Sequence, residues 1–180
     1  SWEIQTVDSE KDVGRWSSIA LDANNYPHIS YCNYTNVDLK YAKWTGSVWK
    51  VETVDIGSDK SDITGIGSSI ALDTNNYPCI SYGGSGYGLM YAKWNGYTWN
   101  IQIVDKTEMG EMLGTSMRLD KNNYPYIAYS NGGENYDLKY AKKTGSYWKI
   151  ETVDSYVTAG EYSSIVLDTN NYPHICYYSF

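Results

Sequence analysis

The chain has 180 residues, a length that suits one domain with a core needing no covalent staples. Its 14 Lys and Arg stand against 21 Asp and Glu, for a net charge of −7; that argues against nucleic acid or an anionic membrane as the main partner, since phosphate binding needs clustered cations. Tyr is used 20 times and Trp 7 times against a single Phe, amphipathic aromatics that suit half-buried strands and ligand-stacking surfaces, and no run of apolar residues is long enough to insert in a membrane.

Trp2 to Asp8 reads as a lone outer strand, and the start Ser1-Trp2-Glu3 reads as a processed or excerpted end. Four short strands then follow. Ser17 to Asp22 is strand A, Pro27 to Cys32 strand B, Leu39 to Trp44 strand C and Trp49 to Asp55 strand D. Ile29 and Tyr31 alternate with His28 and Ser30, the period of a half-buried strand. The whole phrase then returns. Its Tyr-Pro pairs begin at Tyr26, Tyr77, Tyr124 and Tyr172, which marks stacked supersecondary units of about 48 residues. The repeats run at about 9–55, 56–105, 106–154 and 155–180, with 1–8 a stray outer strand, in a single domain or segment spanning 1–180.

The turns carry mechanisms. Asp22 to Pro27 is a local turn, because Asp and Asn bond the nearby backbone and tolerate a left-handed φ. Pro27 then opens strand B, where its missing N–H does least harm. Thr45-Gly46, Asn95-Gly96 and Thr144-Gly145 predict two-residue type I′ hairpins between C and D. That register sets Ala42 opposite Trp49, Ala92 opposite Trp99 and Ala141 opposite Trp148. Strand A is poor in charge and rich in small residues, while D is the most charged, so A belongs near a crowded axis and D at a solvent rim. Ile19, Leu21, Ile70, Leu72, Met117, Leu119, Ile165 and Leu167 are the expected inner core.

A radial array of such sheets is an all-β fold, a β-propeller of four-stranded antiparallel blades with an incomplete last blade. Ser69 to Tyr82, followed by Leu89 to Gly96, resembles the repeats of bacterial and archaeal surface β-propellers and is similar in layout to NHL-type and BNR-like blades. The resemblance implies the fold over essentially the whole chain, and it implies little about function. A sialidase Asp-box is not matched, because Gly and Trp are absent after Asp22, Asp73, Asp120 and Asp168. The chain closes after strand B, so the last blade lacks its C strand. An unpaired edge is expected at Pro173–Tyr178, to be covered by a neighbouring chain or by missing sequence.

In such a disc the A–B and C–D turns share one face and barely change, whereas the B–C and D–A loops share the other and vary. Varied loops on a rigid scaffold are where binding usually sits. The expected ligand-binding residues are therefore Tyr34, Tyr87 and Tyr136 as stacking platforms, with Asn36 and Asn135 as polar partners. A flat ring beside amides suits a glycan. Glu10, Asp12, Asp59, Asp62, Glu108, Glu111 and Glu161 supply carboxylates to the D–A loops and read as a solvated rim. His28 and His174 read as packed side chains, and Cys32, Cys79 and Cys176 as buried free thiols without metal spacing. No nucleophile triad, nucleotide loop or zinc pattern is present, and no catalytic residue, metal or cofactor is expected. The resulting expectation is an extracellular or cell-surface binding module, lectin-like, with glycan or protein partners. A glycan-processing hydrolase or lyase, or a structural repeat of a surface-layer or adhesin chain, is the alternative.

Overall fold

Fourteen strands form in the computed structural model, which describes residues 1–57, 63–106, 114–132, 136–156 and 159–179. The first sheet is a meander of β1 (Val13–Leu21), β2 (Pro27–Asn33), β3 (Asp38–Trp44) and β4 (Trp49–Asp55). The second is β5 (Thr64–Leu72), β6 (Pro78–Gly84), β7 (Gly88–Trp94) and β8 (Trp99–Asp105). The third is β9 (Thr115–Leu119), β10 (Pro125–Ser130), β11 (Leu138–Thr144) and β12 (Tyr147–Asp154). The last has only β13 (Ala159–Leu167) and β14 (Pro173–Ser179). Every pairing is antiparallel, and no helix forms among the described residues.

Each Asp-x-Asn-Asn turn is built by its own Asp. Asp22 Oδ1 accepts the Asn24 N–H at 2.8 Å and the Tyr26 N–H at 2.9 Å, and Asn25 takes φ +62°. The same bonds recur on Asp73, Asp120 and Asp168. The C–D hairpins depart from the expected register. Trp44 pairs with Trp49 and Trp94 with Trp99, so Ala42 faces Val51 and Ala92 faces Ile101; Ala141 faces Ile150. Gly46, Gly96 and Gly145 occupy the first loop position and alone carry positive φ there, which is the II′ pattern rather than I′. Thr45 and Asn95 close the turn instead of entering it. Each Trp keeps the face of its Ala but moves two pairs along the ladder.

The sheets stack through their inner strands. Ser18 Oγ accepts the Ile70 N–H, Ser69 Oγ that of Met117 and Ser116 Oγ that of Ile165, at 3.1–3.2 Å. A hydroxyl here supplies an acceptor for an amide that its own ladder leaves free, which explains the recurring Ser at this register. The apolar core lies between sheets. Leu39, Tyr41 and Val54 of the first sheet meet Ile70, Ile80 and Tyr82 of the second, and Cys79, Leu89 and Tyr91 of the second meet Met117, Ile127 and Tyr129 of the third.

Ile19 and Leu21 fail the burial expectation. They are 63% and 59% exposed, while Ile70, Met117 and Ile165 at the register of Ile19 are buried. No sheet among the described residues packs on the face of the first sheet that carries them, and the segment 2–8 that lies on that face reaches Tyr31 and Trp49 but leaves Ile19 and Leu21 uncovered, so strand position alone does not confer burial. Cys176 is exposed for the matching reason on the last sheet, while Cys32 and Cys79 are buried free thiols. Among the described residues β14 has a ladder with β13 and with no other strand. Residues 2–8 form no ladder, yet they are held against the first sheet. Trp49 Nε1 donates to Gln5 at 3.2 Å and the Tyr31 hydroxyl to Asp8 at 2.7 Å. Trp99 to Glu52 and Tyr82 to Asp55 repeat that arrangement one sheet on.

Candidate functional site

The sequence-predicted residues fall in three loops, Tyr34 and Asn36 between β2 and β3, Tyr87 between β6 and β7, and Tyr136 between β10 and β11. The Tyr34 ring already carries the Arg15 guanidinium 3.8 Å from its centroid, meets Trp16 edge-on, and packs on the cluster of Cys32, Val37, Ile63 and Ile66. Arg15 is in turn clamped to Asp12 by bonds of 2.7 and 3.0 Å. Asn36 is exposed, with its N–H on Asn33 Oδ1. Tyr87 is exposed at the β6–β7 turn, and Tyr136 is half-buried at φ +42°. Asn135 lies outside the described residues, as do Asp59, Asp62, Glu108 and Glu111.

Two concave sites open on the opposite face, where the A–B and C–D turns lie. A cleft of about 650 Å³ sits between the first and second sheets, lined by Asp22, His28, Tyr41, Lys43 and Glu52 on one wall and by Asn75, Asn76, Tyr77 and Trp94 on the other. A cleft of about 480 Å³ sits between the third and last sheets, lined by Asp120, Tyr126, Tyr140 and Lys142 and by Asn170, Asn171, Tyr172 and Pro173. The two are the same place in different repeats: β2 or β10 gives the floor, β3 or β11 gives Tyr and Lys, and the next repeat's Asn-Asn-Tyr-Pro turn gives the far wall. Sequence reading took those invariant turns for scaffold. The signal that marks them is the recurrence of Tyr41 and Lys43 as Tyr91 and Lys93 and as Tyr140 and Lys142, always two apart on strand C.

The floor of the first cleft is a buried polar chain. Tyr41 Oη and His28 Nδ1 are 2.6 Å apart, and His28 Nε2 lies 3.5 Å from Asp22 Oδ2 without a hydrogen bond. Burial, and then the charge of Lys43, push the His28 pKa down, so its imidazole is neutral. Burial works to raise the Asp22 pKa, but the N–H groups of Tyr26 and Asn24 and the His28 contact outweigh it, and the carboxyl is held below its usual range. Asp22 is therefore no proton donor near neutral pH. Trp99 Nε1 bonds Glu52 Oε1 at 3.0 Å, and its ring meets Tyr41 edge-on at 5.4 Å. The cleft offers aromatic faces, amides, a fixed carboxylate and ammonium groups: the equipment for holding a small polar molecule with apolar faces. Among the described residues no group of three or more His, Cys, Asp or Glu gathers that could hold a metal ion.

No protein-family model matches the sequence, and no curated protein does. Solved structures do match. A fucose lectin from Kordia zhangzhouensis, solved with methyl-fucoside, is 18% identical with a TM-score of 0.53, over 77% of this chain and 99% of that one. A triple arginine-to-alanine mutant of AofleA from Arthrobotrys oligospora is 12% identical with a TM-score of 0.63, over 89% of this chain. The chain spans about half of AofleA, 48% of its length. The likeness shows the fold alone, an all-β array of four-stranded antiparallel sheets consistent with a β-propeller, here as a run of sheets that is not closed among the described residues. No family model ties these blades to the NHL-type or BNR-like families.

Proposed function

We propose that this protein is a carbohydrate-binding module, a lectin, whose glycan sites are the clefts between successive blades. The observation that carries the reading is the recurrence of one cleft at repeat-equivalent places, with the same Tyr, Lys, Asp and Asn-Asn-Tyr-Pro components. Repeated shallow sites suit glycan recognition, where several weak contacts on one scaffold raise avidity. The methyl-fucoside complex of the Kordia lectin makes fucose the first sugar to try. Its station in this reading is extracellular or the cell surface, where glycans are displayed. The cleft carboxylates are spent on turn amides and an indole, which favours binding over hydrolysis or elimination.

The test is a glycan array probed with the 180-residue chain and two variants. One carries Asn24→Ala, Asn75→Ala and Trp94→Ala in the first cleft. The other carries Tyr34→Ala, Tyr87→Ala and Tyr136→Ala on the varied-loop face. Loss of signal in the first and retention in the second supports the clefts. The reverse result moves the site to the loop face with Asn36 and Asn135, and an array without any bound glycan removes the lectin reading in favour of a protein partner.

A further inference from the structure

The first cleft differs from its repeat-related counterparts in how its cations are held. In the second blade Lys93 gives its ammonium to Asp73 at 3.0 Å and faces Asn100 across the strand pair. In the third, Lys142 lies over the Tyr126 ring, 4.5 Å from its centroid, and Lys149 opposite is paired with Glu151. In the first blade Lys43 and Lys50 are direct cross-strand partners, both line the cleft, and neither has an ion pair among the described residues. Like charges directly opposite on an antiparallel pair destabilise it.

The cause is one substitution between repeats. Where the second blade has Cys79, the first has His28, and its ring takes the side of the turn aspartate that Lys93 takes in the second. His28 is fully buried, and its Nε2 is left without a hydrogen bond in the wall of the cleft. The two cleft carboxylates are committed, Asp22 Oδ1 to the Asn24 and Tyr26 amides and Glu52 Oε1 to the Trp99 indole. Asp22 and Glu52 share the cleft with Lys43 and Lys50, but neither forms an ion pair with them, so the two ammonium groups face one another without a directly paired carboxylate.

We propose that the cleft between the first two blades takes an acidic sugar, a glycoside whose uronate carboxylate sits between the Lys43 and Lys50 ammonium groups. This rests on the glycan reading above and adds the charge of the sugar. The whole chain carries −7, so the attraction is local, from these two side chains, rather than a general field.

The experiment titrates the chain with two matched pairs of methyl glycosides, glucuronide against glucoside and galacturonide against galactoside. Each pair differs only in carboxylate against hydroxymethyl. At low salt at least one acid binds roughly tenfold more tightly than its neutral partner, and the gap closes near ~0.5 M NaCl as screening shortens. Lys43→Gln with Lys50→Gln brings the acid down to its partner's affinity. Lys11→Gln with Lys106→Gln, on exposed residues of the opposite face and with the same change in net charge, keeps the gap. Equal binding of acid and neutral sugars, or a gap that survives the Lys43 and Lys50 changes, overturns the proposal. If a neutral glycoside binds in the cleft while no acid gains, the acidic-sugar assignment falls and the lectin reading stands. If neither acid nor neutral sugars bind, both fall.

Discussion

The Tyr82 hydroxyl donates to Asp55 Oδ2 at 2.7 Å, and that bond joins two blades rather than two strands. Tyr31 to Asp8, Tyr129 to Asp105 and Tyr177 to Asp154 repeat it. In three of the four a strand-B tyrosine reaches back to the aspartate that ends the preceding strand D, and Tyr31 reaches Asp8 at the end of the segment 2–8, which forms no ladder. Tyr82 is fully buried, and a hydrogen bond to an ionised partner is worth about 1.5–3 kcal/mol. Tyr82→Phe is expected to lower the unfolding free energy by about that much in urea titrations. Tyr177→Phe, in a solvent-exposed pair, is expected to leave the midpoint nearly unmoved. Equal shifts in the two variants contradict this account.

Ile19 and Ile70 share a register and differ only in having a sheet in front of them. Ile70→Ala is expected to cost about 2–5 kcal/mol, as a buried large-to-small change does. Ile19→Ala is expected to stay within about 0.5 kcal/mol, like other exposed substitutions. Paired denaturation curves decide it, and a large loss at Ile19 would mean that its face is covered in solution.

Trp16, Gly67, Gly114 and Tyr162 also share a register, all with positive φ, and line a cavity of about 200 Å³ where the inner strands converge. Gly67 is the tight one: a Cβ there would stand 2.2 Å from Gly114 Cα, backbone that cannot move aside cheaply. Gly67→Ala is expected to cost about 3 kcal/mol through overpacking. Gly14→Ala has φ +89° but open space around the new Cβ, and should pay only the conformational term of about 1 kcal/mol. Thermal unfolding of both reads the difference.

Two acid limbs are expected in stability against pH. The folded pKa of His28 is lowered, so the unfolded chain takes up that proton first. Stability from keeping it neutral is complete above the unfolded value near ~6.5 and declines as pH falls toward the folded value. Asp73 is also held below its usual range; burial opposes this, but the Tyr77 amide, the Lys93 ammonium and the Asn75 amide prevail. Its contribution is complete above the unfolded value near ~3.9 and is lost as pH drops through the folded one. His28→Gln should flatten the first limb, and Asp73→Asn should reduce the second without removing it, because Asp8, Asp22 and Asp154 are also held below their usual range, as read by chemical denaturation from pH 7 to 3. A His28→Gln profile that keeps the upper limb contradicts the assignment.

The strands and turns were legible because their causes are local. Asp22, Asn25 and Pro27 set a turn whatever surrounds them, and the alternation around Ile29 and Tyr31 sets a strand. The hairpin register was misread through one assumption, that both residues of Asn95-Gly96 enter the loop; a glycine in the first loop position selects the II′ turn and moves Trp99 to face Trp94. Exposure of Ile19 and Leu21 was not legible, because burial belongs to the neighbouring sheet. The clefts were hidden for a related reason. Tyr41 and Asn75 lie far apart in sequence and meet only across a blade boundary.

The bonds named between blades run from one repeat to the next: Ser18 to Ile70, Asn76 Oδ1 to the Ala23 amide, Tyr82 to Asp55. Each blade thus carries a plug on one side and a matching socket on the other, and a gene duplication that copies one repeat copies both halves of the joint. Lengthening the array by inheritance therefore requires no new contact to evolve. The plug-and-socket residues must stay constant under such copying. The position held by His28, Cys79, Tyr126 and His174 makes none of these bonds; in the second and third copies it packs in the apolar contact between blades, where Cys79 and Tyr126 fill the same place with different side chains.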